Sequence, residues 1–224
     1  MHFNSKDRRL HLFDYPQDND LPVFTNKHLK ILEETPDLTL HEKLNLLQLQ
    51  LKTRMSVEVG YRYKSVLNIE TGLYEKKSED LAEIEKSLKQ LPYPYRKISF
   101  VMQSRNQGYY EQYHLFMVSR NDYIDKYIGN YWQTFTDYEI GVIYGYPATC
   151  IQAFVKMLER YPALDEEQRT EYTPAMEYIG CGWYSKDFFE QEKEHYNKIW
   201  EQIRSISPTL VRQAEEELRK ERGF

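Results

Sequence analysis

The chain has 224 residues and a net charge of −5, and 41% of its residues are hydrophobic and 15% aromatic. Such an aromatic content is atypical of disordered chains, and no apolar run approaches the roughly 20 residues that a membrane-spanning helix needs. No basic block is present, which weighs against nucleic-acid binding through a broad phosphate-neutralising face. The polar first ten residues lack a signal-peptide core, and two cysteines fit a reducing compartment, so we expect a soluble, cytoplasmic protein without membrane contact.

The first 37 residues are punctuated by three prolines and are predicted to form an irregular N-terminal arm. Within this arm, a short helix is predicted around Thr25–Glu34. Residues 38–224 are predicted to form a single domain. The first long helix of this domain is expected to start at Thr39, because Thr39 and Glu42 have the spacing of a capping box.

Three strands are predicted in the first half of the chain. Apolar and polar residues alternate over Val57–Tyr63. The segments Lys97–Gln103 and Tyr113–Ser119 are rich in β-branched and aromatic residues, and a hairpin turn is predicted between them at Asn106–Gly108. An amphipathic helix with Ser78 as its N-cap is expected between the first and second of these strands.

The second half is predicted to be mostly helical. Thr136 and Glu139 repeat the capping-box spacing. Ser185 is predicted to cap a long helix that reaches Arg204, and Ser207-Pro208 is predicted to begin the last helix. The fold class is therefore expected to be α+β, with a small antiparallel sheet in the first half and a mostly helical second half.

The most distinctive local string is Tyr144-Gly145-Tyr146-Pro147-Ala148-Thr149-Cys150. Its Gly-x-Pro turn is expected to begin a helix with Cys150 in the first turn, where free backbone N–H groups lower the pKa of a thiol. One interpretation is that Cys150 is a thiol nucleophile or a metal ligand. The alternative is that Cys150 shares the apolar face of Phe154 and is buried.

The string Gly-Tyr-Pro-x-x-Cys-x-x-x-Phe, which ends at Phe154, resembles one in small prokaryotic proteins of the family called domain of unknown function 483. In that family's pattern two adjacent cysteines follow the proline, whereas Thr149 stands at the first of these positions here. The resemblance is confined to this short string and brings no activity with it. It implies a prokaryotic or viral cytosolic protein.

Cysteine–histidine catalysis would pair Cys150 with His114 or His195, since such a site is defined by geometry rather than by chain order. A zinc site could in principle combine Cys150, Cys181 and a histidine, but the sequence has no close-spaced cysteine pair. Nucleotide-binding glycine loops and common hydrolase motifs are also missing.

Two Glu-x-x-His motifs, Glu111 to His114 and Glu192 to His195, have the spacing that di-iron helical bundles use. The predicted strand, however, would place Glu111 and His114 on opposite faces. With no stronger pattern available, we predict no bound metal and no cofactor.

Tyrosine occurs 20 times. A tyrosine combines a large apolar ring with a hydroxyl at low entropic cost, which suits binding surfaces, although the tyrosines could equally replace Leu and Phe in a core. The predicted binding residues are Tyr144, Tyr146, Cys181, Trp183 and Tyr184, in two segments that we expect to line one cavity.

The leading hypothesis is therefore a non-catalytic binding or interaction protein with an aromatic cavity, whose partner is a protein or a nucleic acid. One alternative is an enzyme that uses Cys150 as a nucleophile or a metal ligand. Another is a homo-oligomeric structural protein, in which the tyrosines and the charged last helix build a self-interface.

Overall fold

The computed structural model describes residues 21–68, 74–77, 81–103, 109–159 and 171–223, with the backbone alone at 61–68, 74–77, 101–103 and 109–112. The fold is α+β, as predicted, with the sheet in the first half and mostly helices in the second. The described helices are α1 (Asn26–Glu34), α2 (Leu40–Gln50), α3 (Leu81–Leu88), α4 (Asp122–Tyr131), α5 (Asp137–Ile143), α6 (Ala148–Phe154), α7 (Pro174–Ile179), α8 (Phe189–Ile206) and α9 (Pro208–Glu221). The described strands are β1 (Ser56–Asn68), β2 (Tyr74–Lys77), β3 (Tyr95–Gln103) and β4 (Tyr109–Ser119).

The sheet is antiparallel, with the strand order β2-β1-β4-β3. Strands β3 and β4 pair directly, which confirms the predicted hairpin, while its turn at Asn106–Gly108 and the predicted cap Ser78 lie outside the described residues. The register between β1 and β4 shifts between Val59 and Tyr63, and Gly60 at this irregularity has a φ of +80°. Such a backbone conformation favours glycine.

Both faces of the sheet are covered. On one face, Val57 and Phe116 belong to a large core shared with α2, α7, α8 and α9. On the other face, Leu115 and Met117 pack with Ile128 of α4 in a smaller core. Strand β4 therefore carries apolar side chains on both sides, as is usual for a strand in a sheet with two covered faces. Among the helices that the structure describes, none is long and apolar enough to cross a membrane.

The described part of the predicted N-terminal arm contains α1, which confirms the short helix expected there. Leu32 is fully buried in the large core. The Glu33 carboxylate accepts a hydrogen bond from Ser207 Oγ at 2.6 Å, and its backbone carbonyl accepts one from Lys43 Nζ at 3.0 Å. These contacts attach α1 to α2 and α9, while the proposed domain boundary at residue 37 stays a prediction.

The start of α8 differs from the prediction. Its N-cap is Phe188, three residues after Ser185, so the Ser185 hydroxyl does not occupy the position from which a cap satisfies the first-turn N–H groups. Instead, the Ser185 backbone N–H donates to Glu192 Oε2 at 2.9 Å. The last helix does begin after Ser207, whose hydroxyl accepts from Leu210 N–H.

The Glu42 carboxylate connects α2 to the sheet. One oxygen accepts the Thr39 N–H at 2.7 Å and completes the predicted capping box. The other accepts the Gly60 N–H at 2.8 Å, at the irregularity of β1. Glu42 is buried, and α2 also packs against α7, α8 and α9, so a single carboxylate sets the position of the most central helix relative to the sheet.

Replacing this carboxylate should destabilise the fold. We expect Glu42→Ala to lower the free energy of unfolding by about 2–4 kcal/mol, because it removes a cap and leaves the buried Gly60 N–H without its charged acceptor. Urea denaturation would measure the change. Glu139→Ala is the matched control, since the Thr136–Glu139 capping box is exposed, and it should cost only about 1 kcal/mol. Equal losses in both variants would contradict the role of the bond to Gly60.

Candidate functional site

A cavity of about 220 Å³, here called the aromatic cavity, lies between α5, α6 and residues 181–183. Its walls include four of the five predicted binding residues, Tyr144, Tyr146, Cys181 and Trp183. Cys150 also lines it, together with apolar side chains such as Ile151 and Phe154. Two segments that are about 30 residues apart in sequence thus meet around one space, as the sequence analysis expected.

Close backbone approaches shape this cavity. Gly145 has a φ of +69°, and a Cβ at this position would lie 1.8 Å from the Thr53 carbonyl oxygen. At Gly141, a Cβ would lie 2.8 Å from Ile151 Cγ1, where α5 meets α6. The turn that follows α5 therefore packs against the chain just before β1, and it sets the Tyr144 and Tyr146 rings edge to face with their centroids 5.8 Å apart.

Trp183 lies beside Phe154, with ring centroids 5.8 Å apart, and is 43% exposed. Tyr184, the fifth predicted binding residue, lies elsewhere. It is 1% exposed, packs edge to face on Tyr196, and donates a hydrogen bond from its hydroxyl to the Met176 carbonyl at 3.0 Å. Trp183 therefore faces the cavity and solvent, while Tyr184 faces the core.

A second cavity of about 80 Å³, here called the polar cavity, shares Tyr144 and Tyr146 with the aromatic cavity. Its other side chains include His41, Arg54 and Glu58, none of which the sequence analysis singled out. Charged residues that meet across the fold leave no local spacing in the sequence by which they could be recognised. The two tyrosines therefore form a wall between an apolar space and a charged one.

Arg54 is the central cation of the polar cavity, at only 6% exposure. Its Nη2 donates to the Ile179 carbonyl at 2.8 Å, and its guanidinium lies 5.1 Å from the centroid of the Tyr146 ring. Its Nε has no hydrogen-bond partner among the residues that the structure describes. Arginine stacks favourably on aromatic faces, so this contact holds Tyr146 in the wall between the cavities.

Glu58 lies opposite Arg54 and accepts a hydrogen bond from the Tyr144 hydroxyl. Burial raises the pKa of Glu58, although the Tyr144 hydrogen bond and the Arg54 charge act in the opposite direction. At His41, desolvation and the Arg54 charge lower the pKa of the imidazole. The polar cavity thus favours a protonated carboxyl at Glu58 and a neutral imidazole at His41 more strongly than water does.

The two cysteines differ in a way that the sequence analysis did not predict. Cys150 is in the first turn of α6 but is only 1% exposed. Its hydrogen bond with Cys181 and its burial raise the pKa of the Cys150 thiol well above the ordinary value. The lowered pKa that the reactive-thiol interpretation assumed is therefore not supported, since burial and a second sulfur act against the effect of the helix start. The structure favours the buried interpretation of Cys150.

The two candidate catalytic histidines do not line the aromatic cavity. His114 is on β4, where its Nδ1 lies 2.6 Å from Ser99 Oγ. His195 is exposed on α8, with its ring against Tyr196 at a centroid distance of 5.4 Å. Neither lies among the described lining residues beside Cys150, so no cysteine–histidine pair is assembled there.

The residues described contain no group of three or more His, Cys, Asp or Glu side chains that could hold a metal ion. The two side chains of the second Glu-x-x-His motif lie in different environments. Glu192 is buried and accepts a hydrogen bond from the Ser185 N–H, whereas His195 is exposed. The side chain of Glu111, in the first motif, lies outside the described part of the chain.

Comparisons of the chain with protein-family models, with curated proteins and with solved structures gave no match. The resemblance to domain of unknown function 483 accordingly stays a prediction. Function must therefore be argued from the geometry of the two cavities.

The raised pKa of Glu58 predicts a specific dependence of stability on pH. Because the folded state holds this proton more tightly than the unfolded state, Glu58 costs stability as pH rises from about 4 through its raised pKa. We therefore expect Glu58→Gln to become more stable relative to the parent protein as pH rises through that window. Chemical denaturation at a series of pH values would measure the difference.

Glu85→Gln is the control with the opposite sign. The hydrogen bond from Lys89 lowers the pKa of Glu85, so its contribution to stability is present above the unfolded pKa and is lost as pH falls through the folded one. If the two variants shifted in the same direction with pH, the assignment of Glu58 as a carboxyl destabilised by burial would be wrong.

Proposed function

We propose that this chain is a soluble, cytoplasmic binding protein whose aromatic cavity takes a compact ligand with a planar, largely apolar body. The observation that carries the proposal is the convergence of Tyr144, Tyr146, Phe154 and Trp183 on one space of about 220 Å³. Drug-sized ligands occupy about 300–1,000 Å³, so the volume fits a smaller molecule.

The mouth of the cavity supports this proposal. Among the side chains that the structure describes, Trp183 is one of five large hydrophobic ones that are exposed. Its ring lies next to a space lined mainly by apolar groups. A bound ring could complete an edge-to-face or offset contact with Trp183 or Phe154, each worth about 0.5–1.5 kcal/mol beyond the area that it buries. Solvent-exposed Trp183 would then become covered on binding.

A small molecule fits this space better than a polymer does. A protein or a nucleic acid, which were the partners first considered, could enter only by inserting a single side chain or base, because the cavity is small. The homo-oligomeric structural alternative and the prokaryotic or viral origin stay predictions. A solution mass above 27.1 kDa for the native protein would favour the oligomer.

Titration with phenol and with para-cresol, followed by ligand-observed NMR and by tryptophan fluorescence, tests the proposal. Trp183→Ala should weaken binding about tenfold, which corresponds to about 1.4 kcal/mol. Ile151→Trp should fill the cavity and abolish binding. Tyr123→Ala is the matched control, because Tyr123 is exposed to 41%, close to the 43% of Trp183, yet does not line the cavity.

Circular dichroism and thermal unfolding would first establish that each variant is folded. Retention of full affinity by folded Ile151→Trp and Trp183→Ala variants would refute the cavity as the binding site. A loss of affinity in Tyr123→Ala as large as that in Trp183→Ala would instead indicate non-specific adsorption of the probe to surface aromatic rings.

A further inference from the structure

Both cysteines of the chain line the aromatic cavity as free thiols, and each influences the pKa of the other. They come from different segments, since Cys150 is in α6 and Cys181 follows α7. Cys150 is almost completely buried, whereas Cys181 is partly exposed. The hydroxyl of Tyr196 lies 4.0 Å from Cys150 Sγ. Cys181 therefore contributes an accessible sulfur to the cavity, and Cys150 contributes a buried one.

The turn after Cys181 provides partners for its sulfur. Gly182 has a φ of +70°, and the turn directs the Trp183 backbone N–H towards Cys181 Sγ at an N–S distance of 3.4 Å. The Trp183 carbonyl lies 2.8 Å from the same sulfur and accepts from the protonated thiol. The site therefore offers hydrogen-bond partners to both protonation states of Cys181.

The electrostatic surroundings separate the two thiols further. Burial raises the pKa of Cys181, but hydrogen bonds from Cys150, the Trp183 N–H and Tyr196 outweigh it, so that the pKa of Cys181 is lowered overall. At Cys150, the same pairing and burial raise the pKa of the thiol. The thiolate is the reactive form of cysteine. The greater exposure of Cys181 and the Trp183 N–H directed at its sulfur agree with the lowered pKa in favouring Cys181 over Cys150 as the nucleophile.

We infer that Cys181 and Cys150 form a redox-active thiol pair that reduces a small hydroperoxide in the aromatic cavity and closes into an intramolecular disulfide. The presence of a second thiol favours this class of substrate. An alkylating electrophile needs only one sulfur, whereas a two-electron oxidant converts a first thiol to a sulfenic acid that a neighbouring thiol captures. The cavity volume of about 220 Å³ selects a small oxidant.

In the first step, the Cys181 thiolate attacks one peroxide oxygen. An S–O bond forms and the O–O bond breaks, giving a sulfenic acid on Cys181, and the leaving alkoxide or hydroxide takes a proton from solvent. In the second step, Cys150 sulfur attacks the Cys181 sulfur. The S–S bond forms, the S–O bond breaks, and the departing hydroxide leaves as water with the Cys150 proton. Together the two sulfurs lose the two electrons that the peroxide gains.

The order of these steps follows from the charges. While Cys181 is a thiolate, its charge raises the pKa of Cys150 and keeps that thiol protonated. A sulfenic acid on Cys181 is neutral, so the Cys181 charge that raises the pKa of Cys150 is absent after the first step. Cys150 then becomes easier to deprotonate, at the point where it must act as the second nucleophile.

The reduced native protein, without any aromatic probe, should be treated separately with hydrogen peroxide and with tert-butyl hydroperoxide, quenched in acid, and analysed by intact and peptide mass spectrometry. We expect the loss of two hydrogens from the monomer and a peptide linked through Cys150 and Cys181, reversed by dithiothreitol. Cys150→Ser should stop at a sulfenic acid on Cys181 that dimedone traps. Cys181→Ser should leave Cys150 reduced under the same conditions.

Alkylation of the native protein with iodoacetamide gives an independent measurement that needs no variant. Cys181 should react at least about tenfold faster than Cys150, because its thiolate is favoured and accessible. The inference would be overturned by equal labelling rates, by first oxidation at Cys150, or by disulfides formed only between molecules. Because phenol titration is run on the reduced protein, a failure of the thiol reaction and a failure of ligand binding are separate results.

Discussion

The buried guanidinium of Arg54 is the constraint on which both cavities depend. Removing a cation from water costs several kcal/mol unless it is paired and hydrogen-bonded. Arg54 is compensated in part by groups from different parts of the chain, namely the Ile179 carbonyl at the end of α7, the Tyr146 ring in the turn after α5, and the Glu58 carboxyl on β1. Its contacts therefore bring together the segments that carry the site, although its Nε has no hydrogen-bond partner among the described residues.

The sheet supplies the rigid side of this arrangement. Glu42 anchors α2 to β1 through Gly60, and Arg54 lies in the short connection between that helix and that strand. The turn at Gly145 then packs on the Thr53 carbonyl so closely that a side chain cannot be accommodated. Tyr144 and Tyr146 are consequently fixed relative to β1, and the site is formed by short segments held against a packed core rather than by one mobile loop.

Local patterns predicted the fold better than the chemistry of the site. The Thr39–Glu42 and Thr136–Glu139 capping boxes form because each needs contacts only three residues apart, whereas Ser185 fails as a cap because α8 begins four residues later. The convergence of Tyr144 and Trp183 could be anticipated from their aromatic character. Sequence could not predict Arg54 as a central cation, nor the raised pKa of Cys150, because both depend on neighbours that only the tertiary fold supplies.

Charges in both cavities act on the tyrosine hydroxyls that lie near the wall between them. Burial raises the pKa of Tyr146, Arg54 on one side lowers it, and charge on Cys181 on the other side raises it. The same two charges act in opposite directions on the buried hydroxyl of Tyr196. Because interactions between charges are stronger in a poorly solvated interior than in water, the Tyr146 hydroxyl responds to charges in both cavities. The aromatic and polar cavities are therefore two sides of one site, separated by the shared side chains of Tyr144 and Tyr146.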